Sequence, residues 1–235
     1  MCKITVLMSV KNGERFITDC MDSVLNQTFT DFEFLIFDDD SSDGTVEILK
    51  GYQDGRIKIF TETAGYVGNL NKGIEISKGR YIAKMDHDDI MDTTKLAIQF
   101  ELMENMDIDV CATWIYNFGE GVAEPYMVGS INGYIEDPIT FLSLGNNISH
   151  PSVMLKKEFL IKNHLKYEDY FPADDYKLWF EIAKKGGKFY MVPKPLLSYR
   201  FSFYQSGTIL VREQNRIAAS IRQEIKAYLQ GHSTK

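Results

Sequence analysis

Nine of the 33 acidic residues of this 235-residue chain fall in three short clusters, and those clusters are where the chemistry is to be sought. The first is Asp38-Asp39-Asp40-Ser41-Ser42-Asp43-Gly44. A polar turn explains part of it, with Ser or Asp capping a helix and Gly supplying an unusual φ. Four acids in six residues are more than a cap needs. A calcium loop counted from Asp39 has Asp, Ser, Asp and Gly at positions 1, 3, 5 and 6, but Lys50 stands at position 12, where a bidentate Glu is required. The second cluster is Asp86-His87-Asp88-Asp89. Carboxylates two apart at the end of an extended segment can share one hard cation, which keeps its other positions for water and phosphate oxygens. His87 reads more as a spacer than as a ligand, since hard ions prefer oxygen. The plainer reading makes Asp88, Asp89 and Asp92 a helix start over 94–103. The third cluster, Asp174-Asp175, either favours the dipole of a helix beginning there or holds a carboxylate near a substrate hydroxyl as a general base. The sequence leaves both open.

The elements around these clusters alternate between two periodicities. Apolar runs at 3–9, 32–37, 56–60 and 80–85 read as strands, and helical spacing covers 14–25, 45–50 and 68–77. Strands about 25 residues apart with helices between them signal βαβ units and a parallel sheet. Continuous apolar runs, unlike alternating ones, mark parallel strands buried on both faces. Ligands of such sheets bind beyond the carboxyl ends of the strands, where the first two clusters fall. The second half is less regular. Residues 110–117, 152–155, 189–192 and 196–201 read as strands, 119–134 as loops or a short hairpin, and 174–185 as a helix stopped by Gly186-Gly187. A long amphipathic helix over 209–229 carries Leu210, Ile217, Ile221, Ile225 and Tyr228 near one face. The expected organisation is one α/β domain over 1–206, with halves at 1–100 and 101–206, and a helical tail over 207–235.

Composition narrows the function classes. The net charge of −7 argues against nucleic acid as a partner, which demands a basic footprint. Residues 207–235 are locally basic, with five basic residues against two acidic ones. Cys2, Cys20 and Cys111 form no C-x-x-C pair, so neither structural zinc nor a disulfide framework is expected, and a reduced cytoplasmic setting follows. The short apolar N-terminus lacks a signal-peptide pattern, and no run of about 18 apolar residues exists to span a membrane.

Taken together, the segments MSVKNGERFITDCMDSVLNQTFTDFEFLIFDDDSSDGT, NKGIEISKGRYIAKMDHDD, ISHPSVMLKKEFL and ADDYKLWFEIAKKGGKFY resemble the family 2 inverting glycosyltransferases of the GT-A fold, from residue 3 to about 200. Three motifs in the family's order make the resemblance specific. It implies a mostly parallel central sheet flanked by helices, and a hexose moved from a nucleotide-diphospho-sugar, UDP-linked, to a saccharide or lipid-linked saccharide acceptor in surface polysaccharide synthesis. By position, Asp39 matches the acid that contacts uracil, with Asp38 its neighbour, and Val10 and Asn12 line the base and ribose. Asn71, Lys72 and His87 fall in the segments assigned to the donor. Asp86 and Asp88 match the D-x-D motif that holds Mn²⁺ or Mg²⁺ on the diphosphate, Asp88 as the direct ligand. Asp175 matches the catalytic base, while His150, Asp174 and Arg200 match positions near the acceptor or phosphates. The C-terminal helix would then dock at the inner face of a membrane, join a second subunit or pack on its own domain.

Several residues depart from the family pattern. Ser9 and Lys11 stand where Pro and Tyr are frequent, Asp40 where Gly or Asn is usual, Asp174 where Glu is usual, and Ser202 where a His often follows. Two competing readings use the same residues. A nucleotidyltransferase needs a Gly-rich basic loop after the first strand, and Ser9–Gly13 offers one Lys and one Gly. A degenerate, non-catalytic module would have lost acids that are all retained here.

Overall fold

The two apolar runs at the start of the chain become adjacent strands with every residue buried: β1 (Ile4–Val10) and β2 (Phe32–Asp38), paired in parallel from Ile4↔Phe32 to Val10↔Asp38. In the computed structural model, residues 2–61, 64–129, 131–203 and 206–232 are described. Helix α1 (Ile17–Leu25) joins these strands, and α2 (Thr45–Gly51), β3 (Ile57–Phe60), α3 (Gly65–Ile76) and β4 (Tyr81–Lys84) complete the regular half. Helix α1 starts later than the spacing predicts because residues 13–14 bind the 43–45 turn through their backbone N–H groups.

The irregular half is richer in elements than its sequence suggests. It contains β5 (Ile90–Met91), α4 (Lys95–Asn105), β6 (Val110–Gly119), β7 (Tyr126–Val128), β8 (Gly133–Tyr134) and α5 (Pro138–Ser143). A 3₁₀ turn at His150–Ser152 then leads into β9 (Met154–Lys156), α6 (Lys157–Lys162), α7 (Asp174–Lys184), β10 (Phe189–Phe201), α8 (Ser206–Ile209) and α9 (Val211–His232). Where Pro193 and Pro195 predict a break between two strands, one strand runs through. Its pairing with β6 shifts register between Val192 and Pro195 and again between Pro195 and Leu197, which absorbs prolines that cannot donate to a ladder. The helix expected at 94–103 is confirmed as α4, but β5 precedes it. Of the nearby acids only Asp92 serves that start, its Oδ1 accepting from Thr94 N at 2.9 Å.

The main path of the sheet is β3-β2-β1-β4-β9-β6-β10-β5, mixed because β9 runs antiparallel to both β4 and β6. Strict alternation divides the core in two. In β1 and β2, Leu7, Leu35 and Phe37 face a cluster with α3, α7 and α9, and Val6, Phe34 and Ile36 face another with α1, α2 and α4. The tail helix belongs to the first cluster. Its Ile221 and Ile225 are fully buried, and Lys177 and Tyr170 of the domain reach its Glu224 at 2.5 and 3.2 Å. Burying each such Ile is worth roughly 1.5–3 kcal/mol, so the apolar stripe is consumed within the chain. No helix among the described residues is long and apolar enough to cross a membrane. Residues 233–235 of the expected tail lie outside the described residues.

Candidate active site

The carboxyl ends of β1 and β2 are closed by a lattice of short polar side chains. Asn12 sits at φ 52 and Asp40 at φ 62, left-handed conformations that Asn and Asp tolerate and that account for the Gly or Asn usual at position 40. Asn12 N donates to Ser41 Oγ at 2.9 Å, and Asn12 Oδ1 accepts from Ser42 N at 2.8 Å. Asp43 accepts from Thr45 N and Glu14 N, both at 3.1 Å. Asp38 is buried, with Oδ2 accepting from Ser41 N at 3.1 Å and Oδ1 lacking a partner. Asp39 is half-buried. Its Oδ1 accepts from Asn69 Nδ2 at 3.1 Å, and the same amide nitrogen lies 3.3 Å from Ser9 Oγ.

The end of β4 is different. Lys84 is 1% exposed, yet it belongs to an otherwise apolar strand, and its ammonium donates to Met85 O at 2.8 Å and ion-pairs with Asp86. Burial works against charge on Asp86, but Lys84 outweighs it and holds the carboxyl below its usual range. Burial pushes Asp88 up, and among the described residues no other residue hydrogen-bonds or ion-pairs with its carboxylate. Asp89 is fully buried and also pushed up by burial, its Oδ1 accepting from Arg200 N at 2.8 Å. The Arg200 guanidinium stacks on Phe16 and Phe118 and donates to Asp88 O at 2.7 Å and to Asp19 at 2.9 Å. His87 packs against the 10–13 turn so closely that a Cβ on Gly13 would come within 2.8 Å of its ring.

Helix α7 opens with the third cluster. Asp174 is buried, its Oδ2 without a partner, and burial followed by repulsion from Asp175 raises its carboxyl to about 8. Asp175 is raised by burial to about 6, opposed by the hydrogen bonds it accepts. Beside them, burial drives His150 down to about 3, so it is a neutral ring; it shares a 2.7 Å hydrogen bond with Tyr167.

A cavity of about 1270 Å³ joins the three regions. Asn12 and Asp43 line it from the first half, Asp86, His87 and Asp88 from the end of β4, and His150, Asp174 and Asp175 from the second half. Such a volume exceeds what a drug-sized ligand needs and suits an elongated one. Six expected site residues do not line it. Asn71 is spent on the Tyr167 backbone through two 2.9 Å bonds, and Lys72 pairs with Glu75 on the outer surface of α3. Arg200 is tied by its stacking and its two bonds, so it supports Asp88 from behind. Val10 and Asp38 are buried, leaving the backbone as their route to a ligand. Asp39 also lies outside the lining and is linked to it through Asn69 and Ser9.

The donor set fits a hard divalent cation delivered with a diphosphate. Asp88 offers a half-buried carboxylate with no partner from another of the described residues, beside an Asp86 kept ionised by Lys84. No group of three or more His, Cys, Asp or Glu among the described residues could hold a metal alone. The remaining coordination positions would therefore fall to phosphate oxygens and water.

Three residues at the site escaped the sequence reading. Lys84 left a signal, a lysine inside a fully buried strand just before an acidic pair. Asn69 and Asn146 left none, because an amide in a helix or loop is unremarkable until its partner is known.

Residues 5–161 match the family model described as Glycosyl transferase family 2. An uncharacterised glycosyltransferase of Methanocaldococcus jannaschii is 33% identical over 214 residues, covering 84% of this chain and 70% of that one. The UDP-Glc:alpha-D-GlcNAc-diphosphoundecaprenol beta-1,3-glucosyltransferase WfgD of Escherichia coli is 30% identical over 183 residues, covering 77% of this chain and 70% of its own. Among solved structures, residues 1–349 of S. aureus TarS in complex with UDP-GlcNAc share the fold with a TM-score of 0.72 at 18% identity, over 85% of this chain. The chain spans 59% of that TarS structure, less than two thirds of it.

Proposed function

This chain belongs to glycosyl transferase family 2, with the GT-A fold, and on that footing we propose that it moves a hexose from a UDP-sugar to a saccharide or lipid-linked saccharide with inversion at the anomeric carbon. The observation that carries the reading is the shared cavity: a carboxylate with two hydrogen-bond donors, Asp175, lines the same space as the Asp86-Asp88 pair. The UDP-GlcNAc of the TarS complex and the activity named for the E. coli relative support a UDP-sugar and a lipid-linked acceptor.

In this reading Asp39, held by Asn69, faces the uracil, and the backbone of Val10 and Asn12 borders the base and ribose. Asp88 and Asp86 hold Mn²⁺ or Mg²⁺ on the diphosphate, with Lys84 keeping Asp86 charged. When bound, the cation supplies Lewis-acid stabilisation of the charge that gathers on the leaving diphosphate. Asp175 accepts the acceptor's hydroxyl proton as that oxygen bonds to the anomeric carbon, opposite the breaking bond to the diphosphate. His150, neutral, can offer a hydrogen bond to the acceptor or a phosphate but no positive charge. The test is release of nucleotide from UDP-glucose, UDP-galactose, UDP-GlcNAc and dTDP-glucose with Mn²⁺ or Mg²⁺. A UDP-sugar is expected to be turned over and EDTA to abolish it; turnover that survives EDTA, or dTDP-glucose alone being used, refutes the metal or the uridine assignment.

For a lipid-borne acceptor the protein would work at the cytoplasmic face of a membrane. Because the apolar face of α9 is covered, contact with anionic lipid or with a second subunit falls to Arg212, Arg216, Arg222 and Lys226. Flotation with anionic vesicles should be lost when Arg212 and Arg222 become Glu; unchanged flotation ends that assignment.

A further inference from the structure

Helix α7 presents two adjacent carboxylates to one cavity, and a base needs one of them ionised. We propose that Asn146 is the positioning residue that decides which: it donates to Asp175 and not to Asp174, so that Asp175 is the charged partner and Asp174 keeps the shared proton. The inference rests on the reading of Asp175 as base.

The geometry is asymmetric. Asn146 Nδ2 lies 2.8 Å from Asp175 Oδ2, and Tyr176 N donates to Asp175 Oδ1 at 2.6 Å. An ionised carboxylate only accepts, so the amide must present its nitrogen. Each oxygen of Asp175 thus has a donor, which favours its charged form. Asp174, 4% exposed, has an Oδ2 with no partner among the described residues. Two adjacent carboxylates, one buried and one half-buried, resist being charged together, and the proton settles on the one with fewer donors. The raised values of about 8 for Asp174 and about 6 for Asp175 follow the same order. The other groups acting on the pair are Asp86, which raises both, Lys84, which lowers both, and the buried phenols of Tyr66, Tyr167 and Tyr199. Among the described residues, Asp86, Lys84, Tyr66 and Tyr167 make no hydrogen bond to either acid that would distinguish them.

Asn146 is delivered by the fold. Tyr176 of α7 donates to Leu142 O of α5, and Gly145 N donates to the same carbonyl at 3.1 Å. Gly145, at φ 148, then turns the chain so that the next residue meets the start of α7. The protonated Asp174, which lines the cavity, becomes an O–H donor able to bind a sugar oxygen.

The experiment is a carboxyl titration by NMR of the full chain carrying ¹³C-labelled Asp, without metal. Signals are assigned through Asp175→Asn and Asp174→Asn. Turnover of whichever UDP-sugar the donor panel identifies is measured against pH in parallel. In the wild type the lower step should belong to Asp175. In Asn146→Ala that step should rise by about one pH unit, and in Asn146→Asp, which swaps a donor for a third acid, it should rise further. Asn146→Gln, which keeps an amide donor, should return part of the shift. The acid limb of the turnover profile should follow, with kcat falling about fivefold near pH 6 and KM for the UDP-sugar unchanged. Asn146 is exposed, so these variants should keep the wild-type thermal midpoint. A lower step that stays in place in a folded Asn146→Ala, or that belongs to Asp174 in the wild type, overturns the proposal. Near-normal turnover in Asp175→Asn would instead remove the base assignment, whatever the titration shows.

Discussion

The acids at the end of β2 and those at the start of α7 are alike in composition and opposite in what surrounds them. Asp43 receives N–H groups from two turns, and Asp38 receives one, so these carboxylates hold the 10–14 and 38–45 loops together. Asp174 receives nothing on Oδ2, and Asp175 is raised by burial despite its two donors. The Thr45 and Glu14 hydrogen bonds take Asp43 below its usual range against the pull of burial, while burial takes Asp175 above its own. The difference separates an acid that works for the fold from one held ready for a proton. A catalytic base gains from a raised affinity for protons, and a loop-closing cap gains from a lowered one.

Substitutions can break that contrast. The largest effect is expected at Asp175: Asn there should lower transfer or donor hydrolysis by about 10²–10⁴, the range of general-base catalysis, while UDP binding with Mn²⁺ and the thermal midpoint hold. Near-normal turnover would place Asp175 with the structural acids. Next, Asp88→Ala should weaken Mn²⁺-dependent UDP binding by at least about tenfold in calorimetric titration, with metal-free binding unchanged. Equal titrations would show that the carboxylate facing the cavity holds no cation. The smallest change in activity is expected at Asp43. Its replacement by Ala should cost about 1 kcal/mol of stability, roughly 2–4 °C in Tm, with kcat changed by less than twofold. A collapse of kcat without loss of Tm would erase the distinction between the two clusters.

Much of the first half was legible in the sequence because its signals are local. The apolar runs at 3–9 and 32–37 could only be strands buried on both faces, and the acids following them could only sit at the ligand-binding edge of a parallel sheet. The second half was harder for reasons its residues make plain. The prolines of β10 spoke for two strands, and only the two register shifts against β6 let one strand pass. The short β5, β7 and β8, together with α5 and α6, carry too few residues for a period to show. At the site, the motif acids Asp86, Asp88, Asp174 and Asp175 do line one cavity. Asn71, Lys72 and Arg200 were placed there by position alone and are turned elsewhere by Tyr167, Glu75 and the Asp88 backbone.

By itself the sequence determined which residue types stand at strand ends, the alternation that builds two core faces, and the family to which those patterns belong. Spacing along a chain encodes periodicity, and periodicity is all that strands and helices require. Tertiary structure alone decided which acids are satisfied and which are left with affinity for a proton. That depends on burial and on donors 29 or more residues away, such as Asn146 for Asp175 and the Glu14 N–H for Asp43. It also decided that the apolar stripe of the last helix faces its own domain, because Ile221 and Ile225 find the first core cluster already waiting for them. Charge and apolar area are properties of residues, whereas solvation and partnership are properties of places.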